Sequence, residues 1–568
     1  MKIGTFTATN YKAFESFSLK FKPLTILLGS NSSGKSAILN SLLMLSQSAD
    51  SNSNQQSDTI FDGALRLNGN KVGLGETLNV FPSRNPSKEI NFSFSFTYRT
   101  KLIEAIRRAR ESSLDVLFYV HQHCLQKLKE HAEPSKKLNK LITTSASFKP
   151  ARGRKKEREY IEKFTSTLCE TISLYRKLPT DVHEAFFEDS IKRFIHDASL
   201  ARIKSCIEVL ASEELGQSIP RHCSYSFRYD TKSDNLVISE FHLIGRYNRT
   251  ILKIENRQDK RKISSEIFEQ DCLNRSRPEI FKLLRFDNLK VAPNMKSTAD
   301  YLGLMFSQGS ADPFANIIAH HIGYVAQHLL DNISNLQINH VSPLRAFPQR
   351  YYLLDKSVHH QQLNSSDGTE LAEVLKNRPD ILTDINILFA PFNIGIDVDK
   401  VNNIIHKIVI TQNKVKLELT DVGFGISQVL PILVQAYLSP KDSLTIIEQP
   451  EIHLHPNMQA WLADALIQIA LEKNKKFLIE THSDALIRRL RLRIVDDSSK
   501  LAQKDVNIYY LHREGDNTHS KLEEVEISPN GDLNWPKGFM DVEIKDTIQI
   551  QLMKSSKLSS SDVEVNHG

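Results

Sequence analysis

The residues that most readily suggest chemistry lie near the start of the chain: Gly29-Ser30-Asn31-Ser32-Ser33-Gly34-Lys35-Ser36. Its two glycines let the backbone curl until successive N–H groups converge, and a helix start placed just behind them adds a dipole that favours anions. Such a nest suits phosphate oxygens. Lys35 would reach the β- and γ-phosphates of a nucleotide such as ATP, and the Ser36 hydroxyl would ligate Mg²⁺. The plain alternative is a Gly/Ser turn ahead of a helix. The flanks argue against it: Leu24-Thr25-Ile26-Leu27-Leu28 reads as a compact apolar strand and Ala37 to Leu45 as a helix, the order the G-x-x-x-x-G-K-S pattern needs.

Phosphate chemistry of this kind also needs a second strand ending in a carboxylate and a group that orients the attacking water. Ser443-Leu-Thr-Ile-Ile-Glu448-Gln449-Pro450-Glu451 supplies both. Glu448 falls where a Mg²⁺-linked acid belongs. Gln449 can orient water but cannot take its proton, so hydrolysis is expected to be slow unless Glu451 substitutes. Phe477-Leu-Ile-Glu-Thr481-His482 ends another apolar run in a histidine placed to contact a γ-phosphate. Gly423, Gly425, Ser427 and Gln428 lie in a small-residue turn feeding an apolar helix, which taken alone is a helix cap. His453 and His455 resemble a metal pair but fit better as residues shaping the loop before Pro456.

These pieces must be carried by a folded α/β frame. Ile90 to Phe96 alternates apolar and polar residues, as a half-buried strand does, and Leu444 to Ile447 and Lys476 to Ile479 read as buried strands. Between the phosphate loop and the acidic strand lies a long interruption. The expected layout is residues 1–100 as the first half of a nucleotide-binding head, 101–222 as a helical insertion, 223–338 as a mixed β/helical insertion, 339–553 as the second half, and 554–568 as a flexible tail. A loop is expected near Thr143 to Gly153.

The chain has 568 residues, 25% of them charged and 40% hydrophobic, which is ordinary globular composition. No apolar run is long enough for a membrane helix and the first residues read as a strand, so a cytoplasmic protein without a membrane partner is expected. Five scattered cysteines give neither a disulfide frame nor a zinc site. The net charge is +6, yet Lys127 to Glu159 alone holds 11 basic residues against four acids. That patch could meet a nucleic-acid backbone or could be a solvated helical face. Arg488, Arg489, Arg491 and Arg493 form a second basic cluster that allows DNA, a nuclease or an acidic neighbour.

Taken together, Asn10-Tyr-Lys-Ala-Phe14, the phosphate loop, Val422-Gly-Phe-Gly-Ile-Ser-Gln428, Ile446-Ile-Glu-Gln-Pro-Glu-Ile-His-Leu-His-Pro456 and Glu480-Thr-His-Ser-Asp484 resemble the AAA-named, ABC-related (SMC/RecF/OLD-like) ATPases of bacterial defence loci. Ile527 to Phe539, with Trp535, Pro536 and Gly538, is similar to the closing motif of one branch, the ATPase subunit of Septu-type and retron-associated antiphage systems. The resemblance covers the head and implies a P-loop ABC-type ATPase head split by a long, mainly helical insertion. It implies ATP and Mg²⁺ as cofactors, and an ATP-dependent homodimer in which Gly423, Gly425, Ser427 and Gln428 face the nucleotide of the other subunit. It further implies a separate HNH-type nuclease partner and, in retron versions, a reverse transcriptase with its msDNA. Such heads usually carry a catalytic glutamate where this chain has Gln449. OLD-type relatives add a TOPRIM nuclease after the head; here about 70 residues follow the helix after His482, without an Asp-x-Asp pair, so no nuclease activity is expected in this chain.

Overall fold

The computed structural model describes residues 3–53, 63–97, 100–146, 148, 154–183, 189–211, 219–257, 260–291, 312–334, 337–345, 347–353, 363, 370–513, 519–534, 546 and 548–554. The chain divides into two compact units, one of Met1–Phe21, Ser36–His340 and Ser439–Thr445, the other of Lys22–Lys35, Val341–Leu438 and Ile446–Gly568.

Strands are numbered along the chain. The first unit holds β1 (Ile3–Tyr11) and β2 (Phe14–Lys20), while β3 (Leu24–Gly29) belongs to the second. Together with β4 (Ile90–Phe96), β5 (His222–Asp230), β6 (Asn235–Ile244), β7 (Thr250–Arg257) and β8 (Lys260–Ser264), β1 and β2 form a seven-stranded antiparallel sheet, order β2-β1-β4-β5-β6-β7-β8. Alternation fixes its register, because a slip of one residue would turn every apolar side chain of β4 to the wrong face. Phe92 and Phe94 stack on Phe6 with ring centroids 5.8 and 5.2 Å apart. Strands β5 to β8, expected in a separate mixed segment, thus share a sheet with β1, β2 and β4.

Helices Thr100–His131, Lys136–Ala146, Arg154–Tyr175, Asp189–Asp197 and Leu200–Ala211 fill the interval between β4 and β5. Thr143 to Ala146, read from sequence as part of a loop, closes the second of these helices: Thr143 and Thr144 donate their hydroxyls back to Asn139 O and Lys140 O, which lets polar residues sit in the last turn. Helix Pro313–Ile333 starts on Asp312, whose carboxylate accepts from Phe314 N and Ala315 N.

The second sheet has six strands in the order β17-β16-β3-β15-β14-β9. Its members are β9 (Ile338–Val341), β14 (Leu444–Glu448), β15 (Lys476–Glu480), β16 (Val506–His512) and β17 (Lys521–Val525), with β3 parallel to both β15 and β16. All six residues of β3 are buried, as expected for a central parallel strand. Helices Pro456–Glu472 and Asp484–Val495 make the crossovers β14 to β15 and β15 to β16. A smaller sheet of β10 (Tyr352–Leu353), β11 (Ile394–Lys400), β12 (Ile405–Gln412) and β13 (Val415–Glu418) lies in the same unit, with helices Leu371–Asn377, Pro379–Phe389 and Phe424–Leu438. Ile26, Leu28, Ile447, Phe477, Ile479 and Ile508 belong to one continuous core. Trp535 to Phe539 of the closing motif and the tail from 555 lie outside the described residues.

Candidate functional site

Strand β3 delivers the phosphate loop at its C-terminal end. Gly29 has φ 152°, and a Cβ there would come within 2.4 Å of Leu511 O and 2.8 Å of Ser33 Oγ, so the position admits only glycine. Ser32 (φ 62°) and Gly34 (φ 105°) turn the chain left-handed, and Ser33 N donates to Ser30 O at 3.3 Å. Ser30, Asn31, Ser32 and Ser36 are exposed along this turn. Ser33 is buried and its Oγ has no hydrogen-bond partner among the described residues. A curled backbone with an unsatisfied hydroxyl fits a phosphate oxygen.

Lys35 opens the helix Lys35–Ser53, and its ammonium donates to Gly29 O and Ser30 O, each at 2.9 Å. It also stands 3.9 Å from Glu480 Oε1, with both side chains 5% exposed. Burial lowers the ammonium's affinity for its proton, while Glu480 and then Glu451 oppose that effect. Glu480 is the last residue of β15 and pairs in register with Leu27, two residues before Gly29. Burial, then Glu448, pushes its carboxyl up to about 7; Lys35 pulls the other way. Sequence reasoning gave Glu480 no role, although a lone acid ending the apolar run Phe477-Leu-Ile was a signal.

The acidic strand β14 ends beside this pair. Glu448 and Gln449 are both half-buried, and Gln449 leaves the sheet in a left-handed conformation (φ 43°) with its N–H donating to Glu480 O at 2.8 Å. Arg345 Nη2 donates to Glu448 O and Gln449 O, each at 3.1 Å. Glu451 reaches across to the end of β15: Thr481 Oγ1 donates to Oε2 and His482 N to Oε1, both at 2.7 Å. Its carboxylate thereby positions the His482 loop. Ser483 Oγ accepts from Leu486 N at 3.0 Å, capping the next helix, and donates to Gln459 Oε1 at 2.6 Å. The exposed His482 imidazole is held below its ordinary pKa by partial desolvation and then by Lys35, with Glu451 opposing.

Helix Phe424–Leu438 follows the small-residue turn. Gly423 is exposed, and a Cβ added there would meet no atom within 4 Å; one added at Gly425 would face Leu454 at 3.5 Å. Ser427 and Gln428 are each only 3% exposed. The four residues therefore split into Gly423, with open space beside it, Gly425, in contact distance of Leu454, and two side chains packed inside the unit. Arg350 anchors the approach to this helix, 3.3 Å from Glu418 and 3.1 Å from Asp421. Lys475 holds its far end by donating to Ala436 O and Tyr437 O.

Other residues singled out from sequence have internal partners. Arg493 forms a two-pronged pair with Asp464 at 2.8 and 2.9 Å, Arg489 approaches the same carboxylate at 3.5 Å, Arg491 donates to Gly531 O, and Arg488 pairs with Asp484. His455 caps the helix Pro456–Glu472 by accepting from Asn457 N at 3.3 Å. Apart from those residues, the buried His121 of helix Thr100–His131 bonds Ser145 at 2.9 Å among Phe148 and Phe164, and burial draws its pKa down to about 4. Lys129, Lys136, Lys137 and Lys140 of the basic patch are exposed; Lys149 and Arg152 lie outside the described residues. Among the described residues no His, Cys, Asp or Glu cluster could by itself hold a metal ion, and no helix is long and apolar enough to cross a membrane.

Comparison with known proteins agrees with this strand, loop and helix order. Residues 1–487 match the AAA ATPase domain family (AAA_15), and residues 501–549 match a protein family of unknown function, DUF3696. No match is found among the curated proteins. Among solved structures, an SMC head domain from Thermotoga maritima is similar at 9% identity over 93% of this chain and 100% of that one, with a TM-score of 0.31. An Smc head bound to the C-terminal winged-helix domain of ScpA matches at 9% identity, 93% and 98% coverage and TM-score 0.34. An Smc head with an extended coiled coil bound to the C-terminal domain of ScpA, derived from Pyrococcus furiosus, matches at 10% identity, 97% and 99% coverage and TM-score 0.33. Scores this low carry no weight for function. The match over residues 1–487, on a chain whose phosphate loop rises from a buried parallel strand, is decisive: this α/β protein belongs to the AAA ATPase domain family and is a P-loop ATPase.

Proposed function

We propose that this chain is the ABC-type ATPase subunit of an antiphage defence complex, and that it binds ATP with Mg²⁺, closes into a two-fold dimer and thereby restrains or positions a separate HNH-type nuclease. The observation that carries the ATPase part is the placement of Lys35 between two phosphate-loop carbonyls and Glu480, with Gln449 bonded to that same glutamate's backbone. The defence role, the nuclease and a reverse transcriptase with its msDNA rest on the sequence motifs alone.

In this reading the backbone amides of Gly29 to Lys35 take the phosphates, with Lys35 turning from its own loop carbonyls towards the β/γ oxygens. Ser36 and Glu448 would hold Mg²⁺, which when bound offsets charge on the phosphates. Gln449 orients the attacking water, and the His482 ring contacts the γ-phosphate. Gly423 and Gly425, at a helix start, present amides to the nucleotide of a second copy. An amide at position 449 accepts no proton, so turnover is slow and the bound state long-lived.

The test combines Lys35→Ala with the wild type in a phage plaque assay and an equilibrium nucleotide-binding assay with Mg²⁺. The variant is expected to lose both protection and nucleotide. Folded wild-type protein that takes up no labelled nucleotide would falsify the ATPase reading; undiminished protection by the variant would remove the defence role.

A further inference from the structure

We infer that Arg345 is a positioning residue of the ATPase centre, holding the backbone turn that presents the Glu448 carboxylate and the Gln449 amide. The inference rests on the roles proposed above for those two residues.

Arg345 lies in the loop after β9. Its neighbour Leu344 is 86% exposed and Phe347, two residues on, is 75% exposed, whereas Arg345 is 7% exposed. This stretch turns apolar groups to solvent and the cation inward, the reverse of what solvation alone favours. The inward reach ends on two consecutive carbonyls, Glu448 O and Gln449 O. Both belong to the turn where Gln449 adopts φ 43°, a conformation that costs a residue with a side chain on the order of 1 kcal/mol or more and persists only where the surroundings impose it. Glu480 O fixes the turn from one side through Gln449 N, and Arg345 fixes its carbonyls. Without the guanidinium both carbonyls lose that donor.

A packing role alone does not account for a charged group here. Nε and Nη1 of Arg345 are inaccessible and have no hydrogen-bond partner among the described residues, and a buried cation with unmet donors is costly where a neutral side chain could fill the space. Burial draws the guanidinium down to about 10 while Glu451 opposes it, so it keeps its charge at neutral pH. The positive charge therefore sits behind the acidic turn. It holds the Glu448 turn by geometry and attracts the Glu451 carboxylate by charge.

Full-length Arg345→Ala, Arg345→Gln and Arg345→Lys are compared with wild type by thermal unfolding, fluorescent-nucleotide affinity, and single-turnover ATP hydrolysis over a Mg²⁺ series. Partners that orient a metal ligand from behind typically matter about 10–100-fold, so Arg345→Ala is expected to lower the rate and raise the half-saturating Mg²⁺ by that order while nucleotide affinity stays within about threefold. Arg345→Lys, which keeps the charge and can donate to both carbonyls, recovers most of the loss, and Arg345→Gln recovers less. Wild-type rate and Mg²⁺ dependence in Arg345→Ala overturn the inference. So does a parallel fall of melting temperature and nucleotide affinity in all three variants, which marks a purely structural residue. A Lys35→Ala protein that hydrolyses ATP like wild type would instead remove the site reading itself, whatever the Arg345 variants do.

Discussion

The two halves of the proposed nucleotide site are built by different means. The phosphate loop takes its bend mainly from its own residues: Gly29, Ser32 and Gly34 turn it, Ser33 bonds Ser30, and Lys35 bonds the loop's own carbonyls, while Leu511 O of β16 closes the space beside Gly29. The acidic turn is assembled from a distance. Its bonds run from Arg345 to Glu448 and Gln449, from Gln449 to Glu480, and from Thr481 and His482 to Glu451, spanning up to 104 residues. A local device survives changes elsewhere in the chain but tolerates almost none within itself. A device made of long-range bonds can lose one and keep the others.

The sharpest way to break that contrast is Gly29→Ala. The added Cβ meets a backbone oxygen at 2.4 Å, and φ 152° is a region that residues with side chains avoid at about 1–3 kcal/mol before any clash is counted. The loop has no second means of making this bend. Gly29→Ala is therefore expected to abolish nucleotide binding and lower the melting temperature more than any single change in the acidic turn. Binding within about threefold of wild type would show that the loop is not self-shaped.

This contrast also explains what the sequence could show. The bend of the phosphate loop between a buried strand and a helix was legible, because it depends on the spacing of residues along the chain. Glu448, Gln449 and His482 were legible as strand ends, but what fixes them was not: Arg345 stands 103 residues before Glu448 in a stretch with no periodicity. Whether the arginines from 488 to 493 meet DNA, a nuclease or an acidic neighbour stayed open in the sequence because Asp464, which two of them share, sits one helix earlier and is brought in by the crossover. The seven-stranded sheet was hidden for the same reason, since β4 and β5 are neighbours across a long run of helices from Thr100 to Ala211.

The meeting point of the two halves is Glu480, and its titration gives the next prediction. Its carboxyl is raised from 4.5 to about 7 in the folded chain. The folded state thus binds a proton that the unfolded state has released between those values, and stability falls as pH rises through that window. The loss is at most about 3 kcal/mol above pH 7 and is shared with Lys35. Glu480→Gln, neutral at every pH, is expected to flatten the slope of unfolding free energy between pH 4.5 and 7 in chelator without nucleotide, and to exceed wild-type stability at about pH 8. An unchanged slope would mean that Lys35 keeps Glu480 ionised and that the two halves are joined by a true ion pair.

The smallest effect separates two roles for Glu451. Its oxygens each accept one hydrogen bond at 2.7 Å, from Thr481 and from the His482 backbone. Gln at this position keeps one acceptor and turns an NH₂ towards a donor, leaving one part-buried or exposed bond unmade at a cost of about 1 kcal/mol. If Glu451 only positions the His482 loop, Glu451→Gln should lower the single-turnover rate by less than about tenfold, in step with that loss, because each 1.4 kcal/mol is about a factor of ten. If instead Glu451 takes the proton that Gln449 cannot, the rate should fall by about a thousandfold or more while the melting temperature barely moves. The bonds to β15 favour the first outcome, since a carboxylate already holding two donors is poorly placed to accept a proton from water.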